Sequence, residues 1–367
     1  MSVSAAVVDL DDAEGLLAAD RQGLLRAASM AGAQVRATAA ALDEGELDAV
    51  RSDAPPRTVV WVAGRGNAET AGTLLSAAVG GALSAPFVVT VDAPTWIGAL
   101  DVVILAGEDP GDPVLVAAAA TAVRRGARVV VVAPYEGPLR DATAGRSAVL
   151  APRLPVPEDF TLARYLAAGL AVLQAIAPGS RADLTALADE LDAEASRNSA
   201  GRELFTNPAK GLADRMTGRD VVFAADNAAG LALARHACAV MLRIAQRTVA
   251  AVGLADVLVA LGSGWGATPG GDSIFHDEQI DGPLPNRTRT FVLTTEAERP
   301  VVTARLRGFD DIDIISADDV PDVAATGGSE EVPGSAAMPG YGRPEQQFAL
   351  LALRLEMAAV YQRLIRG

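Results

Sequence analysis

The chain has 367 residues, of which half are apolar and 4% aromatic, and 31 basic against 46 acidic residues give a formal net charge of −15. This length predicts two domains, and the acidity argues against nucleic acid or an anionic membrane as a partner, because like charges repel. The single cysteine, Cys238, excludes an intrachain disulfide and a cysteine zinc cluster; its apolar neighbours predict a buried, unreactive thiol.

The N-terminal residues are polar and acidic, without the basic and then apolar segments of a secretory signal. No apolar stretch reaches the length of a membrane span without interruption. We therefore predict a cytoplasmic protein.

The first half of the chain predicts strands that alternate with helices. A helical arm at about 11–46 comes first. The predicted strands that follow are 58–63, 87–91, 102–106 and 128–132, and the predicted helices are 68–81 and 113–125. Because these strands are apolar throughout, both faces need cover, which is typical of a parallel βαβ sheet.

The second half repeats this pattern after a predicted helical stretch at about 158–195. The predicted strands are 220–225, 248–252, 290–294 and 312–315, and the predicted helices are 228–246, 254–261, 298–307 and 345–365. Two stretches rich in Gly, Pro and acidic residues, 262–289 and 318–344, are predicted to be mobile loops. The predicted fold class is α/β, with two flavodoxin-like parallel-sheet subdomains and flanking helices.

Ligands of open parallel sheets bind beyond the carboxyl ends of the strands, and the first loop in that position contains Gly64, Gly66 and Asn67. The loop begins like a dinucleotide fingerprint, and Asp92 ends the next strand where a ribose-binding acid would fall. Glu69, however, occupies the third glycine position. Three interpretations stay open, namely a tight turn, a dinucleotide site or another anion site.

The second such loop, Gly107 to Pro113, carries three carboxylates, Glu108, Asp109 and Asp112. Two like charges about 4 Å apart cost roughly 4 kcal/mol at an effective dielectric constant near 20. We therefore predict that phosphate does not sit directly against this loop. Capping of the following helix is the favoured interpretation, and a cation or an amine is the alternative.

The third loop, 262–273, includes Ser263 and could cradle an anion through its backbone amides or serve only as a connector. The two histidines, His236 and His276, are acid-base candidates, although a core or solvated role is the ordinary one. Two histidines cannot form a three-histidine zinc site, and the sequence has no H-E-x-x-H, Gly-x-Ser-x-Gly or Walker A motif. We expect no resident metal or cofactor.

Taken together, the paired halves and three short segments resemble one family. The segments are Asn207-Pro208-Ala209-Lys210, Phe275-His276-Asp277 to Asp281-Gly282-Pro283, and the helix 348–355. They resemble the bifunctional phosphoglucose/phosphomannose isomerases of the sugar isomerase (SIS) fold, in the divergent version of high-GC actinobacteria, over about 50–367. The resemblance implies a homodimer in carbohydrate metabolism that interconverts aldose and ketose sugar phosphates through an enediol.

The resemblance also implies a domain organisation. Its parts are a helical arm (1–50), a first SIS-like domain (51–156), a helical linker (157–206), a second SIS-like domain (207–344) and a C-terminal helix (345–367). Gly64, Gly66, Asn67, Gly107 and Ser263 become the candidate residues for binding a sugar phosphate.

The catalytic residues of the family carry over poorly. A glutamate base, a ring-opening histidine and a Ser/Thr-rich phosphate loop are implied, but the phosphate loop corresponds to the acidic loop at 107–112. Asp256 is the only carboxylate near the position of the base, and His236 or His276 would have to replace the histidine. We therefore expect a non-catalytic descendant that senses a sugar phosphate or stabilises another enzyme. A functional isomerase is the alternative, and a dinucleotide-binding enzyme is a third possibility.

Overall fold

A computed structural model describes residues 8–52, 54–177, 183–265, 287–317 and 343–366. The chain forms two compact units. The first unit contains 22–196 and 344–354, and the second contains 1–21, 197–343 and 355–367. Each unit is built on one sheet of parallel strands.

The strands of the first unit lie in the order β2-β1-β3-β4-β5 among its described residues, and every pair is parallel. They are β1 (Thr58–Val62), β2 (Phe87–Thr90), β3 (Asp101–Ala106), β4 (Arg128–Val132) and β5 (Ser147–Val149). β1 and β3 are buried along their whole length because both faces are covered, as their apolar sequences predict. β2 lies at the edge and is half-buried.

The strands of the second unit lie in the order β7-β6-β8-β9, again all parallel, within the described part of that unit. They are β6 (Asp220–Ala225), β7 (Ala250–Gly253), β8 (Thr288–Leu293) and β9 (Ile312–Ile315). In the two central strands, the rings of Phe223 and Phe291 lie 5.7 Å apart between centroids and anchor the core.

The helices of the described residues are numbered here in chain order. They are α1 (Ala13–Ala19), α2 (Leu24–Ala28), α3 (Ala31–Asp43), α4 (Gly66–Val79), α5 (Pro113–Arg124), α6 (Gly137–Thr143), α7 (Leu162–Ile176), α8 (Leu184–Arg197), α9 (Pro208–Met216), α10 (Ala228–Arg243), α11 (Leu254–Gly262), α12 (Arg299–Arg305) and α13 (Pro344–Leu364). None of them is long and apolar enough to span a membrane.

Close packing of α4 on the sheet depends on a glycine. Gly72 lies against the buried Trp61, and a Cβ atom at this position would be 2.3 Å from Trp61 Cδ1. The indole Nε1 donates to the carbonyl of Ala68 at 2.9 Å, which satisfies its only polar atom. This contact holds the start of α4, and therefore the loop before it, against the end of β1.

The predicted fold class is confirmed: the chain is α/β, with two parallel sheets and flanking helices. The predicted helical stretch at 158–195 is two helices, α7 and α8, and the N-terminal arm is three helices, α1 to α3. The structure adds α6, α9 and β5, which the sequence pattern did not predict. Most of the predicted loops at 262–289 and 318–344 lies outside the described residues, and the predicted domain bounds stay predictions.

Candidate functional site

The loops after β1, β2 and β3 enclose a cleft of about 510 Å³ in the first unit. Gly64 lines it from the loop after β1, Asn67 from the first turn of α4, Val91 from the loop after β2 and Gly107 from the loop after β3. Glu158 lines it from the segment before α7. Four of the residues predicted to bind a sugar phosphate, Gly64, Gly66, Asn67 and Gly107, thus belong to loops at one edge of one sheet. The carboxyl edge is where parallel sheets place their ligands.

The first loop turns sharply between β1 and α4. Gly66 has a φ of +66°, which a residue with a side chain rarely adopts. Asn67 is only 4% exposed, and its Nδ2 donates to the carbonyl of Glu158 at 2.7 Å and to Thr161 Oγ1 at 3.2 Å. The Asn67 amide group therefore ties this loop to the segment before α7.

Glu108 in the acidic loop after β3 is held by an ion pair. Arg164 Nη2 lies 3.0 Å from each of its carboxylate oxygens, and Thr161 Oγ1 donates to Oε1 at 2.8 Å. The side chain of Arg164 is 9% exposed and that of Glu108 is 28% exposed. The buried guanidinium therefore neutralises a carboxylate at the base of the cleft.

Tyr165 lies beside this ion pair and is fully buried. Arg164 Cζ lies 4.1 Å from the centre of its ring. Burial raises the pKa of the Tyr165 hydroxyl far above its ordinary value, because the charged form would be desolvated. The phenol therefore stays neutral at physiological pH, and the charges at the base of the cleft are those of Arg164 and Glu108.

Asp112 caps the N-terminus of α5, as the favoured interpretation of the acidic loop predicted. Its Oδ1 accepts from the backbone N–H of Val114 at 2.9 Å and of Leu115 at 3.5 Å. These amides and the positive end of the helix are what a bound phosphate would otherwise use. Arg65, which is 73% exposed, reaches Asp112 Oδ2 at 3.4 Å.

Asp109 is held within the same loop, where its Oδ1 accepts from the backbone N–H of Gly111 at 2.7 Å. All three acidic side chains of the loop therefore have protein partners. The loop binds its own carboxylates in the positions where a phosphate loop would present amides and hydroxyl groups.

The carboxyl edge of the second sheet carries a different arrangement. Asn227 follows β6 and caps α10, where its Oδ1 accepts from the backbone N–H of Gly230 at 2.7 Å. Its Nδ2 lies 2.7 and 2.8 Å from the two carboxylate oxygens of Glu298, and Thr295 Oγ1 lies 3.0 Å from Glu298 Oε2. A half-buried carboxylate is therefore held by an amide and a hydroxyl group.

Sequence reasoning missed Glu298 as a candidate. Asp256 was chosen because it follows β7, whereas Glu298 follows β8, a central strand of the same sheet. The available signal was the polar run Thr294-Thr295 directly after an apolar strand, with a glutamate three residues later. Ligands of open parallel sheets bind beyond the carboxyl ends of the strands, and this rule, which located the first cleft, also points to Glu298.

The remaining site candidates lie apart from one another. Asp256 is exposed in the first turn of α11, and Ser263 is exposed at the other end of that helix, where its Oγ donates to the carbonyl of Val259 at 2.9 Å. His236 is 2% exposed on α10, and its Nε2 lies 3.0 Å from Glu356 Oε1. His236 therefore has the core position that was its alternative interpretation, and its catalytic role stays a prediction. His276 lies outside the described residues.

No group of three His, Cys, Asp or Glu side chains with the geometry of a metal site occurs in the part of the chain that the structure describes. This observation includes the acidic loop, where each carboxylate accepts from protein donors.

Comparison of the sequence with known protein families and with curated proteins finds no match. Comparison with solved structures does. Tagatose-6-phosphate ketose/aldose isomerase from Escherichia coli is 15% identical with a TM-score of 0.59, over 99% of this chain and 95% of that one. A glucose-6-phosphate isomerase like protein from Thermus thermophilus is 20% identical with a TM-score of 0.51, over 98% of this chain and 96% of that one.

The C-terminal domain of glucosamine-fructose-6-phosphate aminotransferase from Francisella tularensis is also similar, at 11% identity and a TM-score of 0.56, over 94% of this chain and 96% of that one. Likeness at these identities establishes the fold. The chain has the fold of these three proteins along nearly its whole length, in agreement with the predicted class of two parallel sheets with flanking helices. The bifunctional phosphoglucose/phosphomannose branch stays a prediction.

Proposed function

We propose that the chain is a non-catalytic, sugar-phosphate-related protein of the SIS fold, which acts as a sensor or as a subunit that stabilises another enzyme. The observation that carries this proposal is that carboxylates of the protein itself occupy the groups of the first unit that would otherwise bind a phosphate. Asp112 takes the amides at the start of α5, and Glu108 takes the buried guanidinium of Arg164.

The charge of the cleft supports this proposal. The carboxylates of Asp109, Asp112 and Glu158 face a single exposed cation, Arg65, among the described residues that line the cleft, once Arg164 has neutralised Glu108. A phosphate about 4 Å from one such carboxylate would lose roughly 4 kcal/mol at an effective dielectric constant near 20. A sugar phosphate in this cleft therefore presents its hydroxyl groups, from which carboxylates accept hydrogen bonds, and turns its phosphate away.

The test is a titration of the whole chain with mannose 6-phosphate, glucose 6-phosphate and fructose 6-phosphate. Thermal melting reports binding, because a ligand of the native state raises Tm. Proton NMR of the same samples reports interconversion of the sugars. A raised Tm without interconversion supports a sensor, and interconversion contradicts the non-catalytic proposal. If none of the three sugar phosphates changes Tm, the role as a sensor is contradicted and the role as a stabilising subunit is the one that remains.

Catalysis is the second candidate function, and Glu298 is the observation that favours it. Its carboxylate is held by neutral donors, and carboxylates serve as general bases for protons within hydrogen-bond reach. If the chain interconverts sugar phosphates, Glu298→Gln should abolish turnover with little effect on Tm. Asp256→Asn is the matched control at the position that the family resemblance suggests. If both variants were as active as the native chain, a role for either carboxylate would be contradicted.

The dinucleotide alternative and the predicted homodimer can be tested with the same protein. NADH as a fourth titrant addresses the dinucleotide possibility, because a Tm shift with NADH and none with the sugars would favour it. The homodimer implied by the resemblance is tested by sedimentation equilibrium of the full chain. A monomer at all concentrations would contradict a site completed by a partner subunit.

A further inference from the structure

A second, smaller cavity lies in the first unit between α3, the segment 150–154 and α7. Its volume is about 20 Å³, and Ala and Leu side chains form most of its wall. The polar side chains that reach it are those of Gln34, Thr38, Arg153 and Arg164. Arg164 therefore borders both this cavity and the Glu108 carboxylate.

Two nearly completely buried side chains have polar atoms without partners here. Gln34 is 3% exposed, and its Oε1 accepts no hydrogen bond, whereas its Nε2 donates to the carbonyl of Phe160 at 2.9 Å and fixes the orientation of the amide. Arg164 is 7% exposed, and its Nε and Nη1 have no partner. Most buried polar atoms in proteins are hydrogen-bonded, so these three indicate a ligand.

We propose that this cavity binds one ordered water molecule that bridges Gln34 and Arg164. Two unpaired donors and one unpaired acceptor match the two lone pairs and one of the two hydrogens of a water molecule. A volume of about 10–15 Å³ is enough for one water molecule, and the cavity has about 20 Å³. The Gln34 oxygen disfavours an anion, and the guanidinium of Arg164 disfavours a cation.

The bridge makes Gln34 a positioning residue for the cleft. The water anchors one side of the Arg164 guanidinium, while Nη2 of the same group holds Glu108. Gln34 thereby acts through the water and Arg164 on the charge at the base of the cleft, without touching it. This inference does not depend on whether the chain binds a sugar phosphate.

The direct test is a high-resolution crystal structure of the full chain, with a second crystal grown in sodium bromide. A single density peak within hydrogen-bond distance of Gln34 Oε1 and of an Arg164 nitrogen, without an anomalous bromide signal, is the expected result. A dry cavity, or a bromide ion at this position, would overturn the proposal.

The positioning role is tested by the NMR signal of the Arg164 Nε–H group, assigned through its loss in Arg164→Met. In Gln34→Leu we expect exchange of this proton with solvent to accelerate at least about tenfold, since its bridge is lost. Thr38→Val is the matched control, because Thr38 lines the same cavity and should leave the exchange unchanged. Equal exchange in the native chain and in Gln34→Leu would overturn the role; if Gln34→Leu does not fold, the crystal structure of the native chain decides.

Discussion

The carboxyl edges of the two sheets each hold a glutamate, but they hold it in different ways. In the first unit Glu108 is paired with a buried guanidinium, and the next helix is capped by a second carboxylate, Asp112. In the second unit Glu298, which follows β8, is held by an amide and a hydroxyl group, and the helix after the neighbouring strand β6 is capped by the neutral Asn227. The same architecture therefore carries one edge whose glutamate is paired with a cation and one edge whose glutamate is held by neutral groups.

This difference bears on which edge can bind a ligand and which can take part in chemistry. The carboxylate of Glu108 is committed to the buried guanidinium of Arg164, because breaking a buried ion pair is costly. The carboxylate of Glu298 is held by the neutral groups of Asn227 and Thr295. The loss of function proposed for this chain is therefore a property of the first edge, and the second edge is the place to look for residual chemistry.

The largest effect should follow from removal of Arg164. Arg164→Met leaves Glu108 partly buried without its cation, and we expect a loss of about 3 kcal/mol in the free energy of unfolding, since broken buried ion pairs cost roughly 3–5 kcal/mol and Glu108 keeps some access to water. Urea denaturation measures this loss. Arg65→Met is the control: its pair with Asp112 is exposed, and such pairs contribute less than about 1 kcal/mol. Similar losses in both variants would contradict a special role for the buried pair.

The second prediction concerns the charge of the helix caps, which is neutral at Asn227 of α10 and negative at Asp112 of α5. Asn227→Asp preserves the cap, because Asn and Asp are about equally good N-caps, but it places a second carboxylate against Glu298. We expect a loss of about 2 kcal/mol, less than the roughly 4 kcal/mol of two fixed charges about 4 Å apart because the pair can take up a proton.

The pH dependence of this variant has a defined sign. Repulsion raises the pKa of the introduced carboxyl group in the folded state, so the loss is present near neutral pH and shrinks as the pH falls through that raised value. Asp112→Asn is the reciprocal control and should change the stability little. An Asn227→Asp variant as stable as the native chain at about pH 7 would show that Glu298 does not lie against this cap.

The third prediction concerns phosphate affinity at the first edge. Glu108→Ser with Asp109→Gly removes two carboxylates and frees Arg164, so inorganic phosphate should bind at least about tenfold more tightly, or about 1.4 kcal/mol. Isothermal titration calorimetry measures this change. Glu158→Ser removes an exposed charge of the same cleft and should have a smaller effect. An unchanged affinity in the double variant would contradict the proposal that these two carboxylates exclude phosphate.

The fourth prediction concerns the cap of α5. Asp112→Ala leaves two backbone N–H groups without their acceptor, and loss of an N-cap costs about 1 kcal/mol. Asp109→Ala is the matched control, because Asp109 accepts from Gly111 within the same loop and pairs with the exposed Arg65, but it does not cap α5. Urea denaturation of the two variants measures the difference. Equal stability would mean that the α5 amides find another acceptor.

The predictable part of this structure is local. The apolar runs of β1, β3 and β4 predicted a covered parallel sheet, and the position of Asp112 before Pro113 predicted its cap, because both patterns act between neighbours in sequence. The three-residue strand β5 was missed, since so short a run carries no periodicity.

The site itself could not be predicted in the same way. Glu108 and Arg164 are 56 residues apart in sequence, and no local pattern marks a charged pair that forms only when the chain folds. Glu298 was missed for another reason: the resemblance to isomerases directed attention to the loop after β7, where Asp256 lies exposed. The local sequence also does not determine whether the side chain of His236 is buried, because a histidine on a helix can face the core or a cleft.

The smallest effect concerns Cys238 on α10, the helix that Asn227 caps. Burial raises the pKa of its thiol from 9.0 to about 11, so the folded state favours the neutral form. This contribution to stability is present below pH 9.0 and is lost as the pH rises through about 11. At about pH 8 we expect iodoacetamide to alkylate the native thiol at least about tenfold more slowly than in urea, because the thiolate is the reactive form. Asn227→Asp, which strains the start of α10, should raise the native rate, whereas Asp112→Asn should not; equal rates in both would contradict a link between the second edge and its helix.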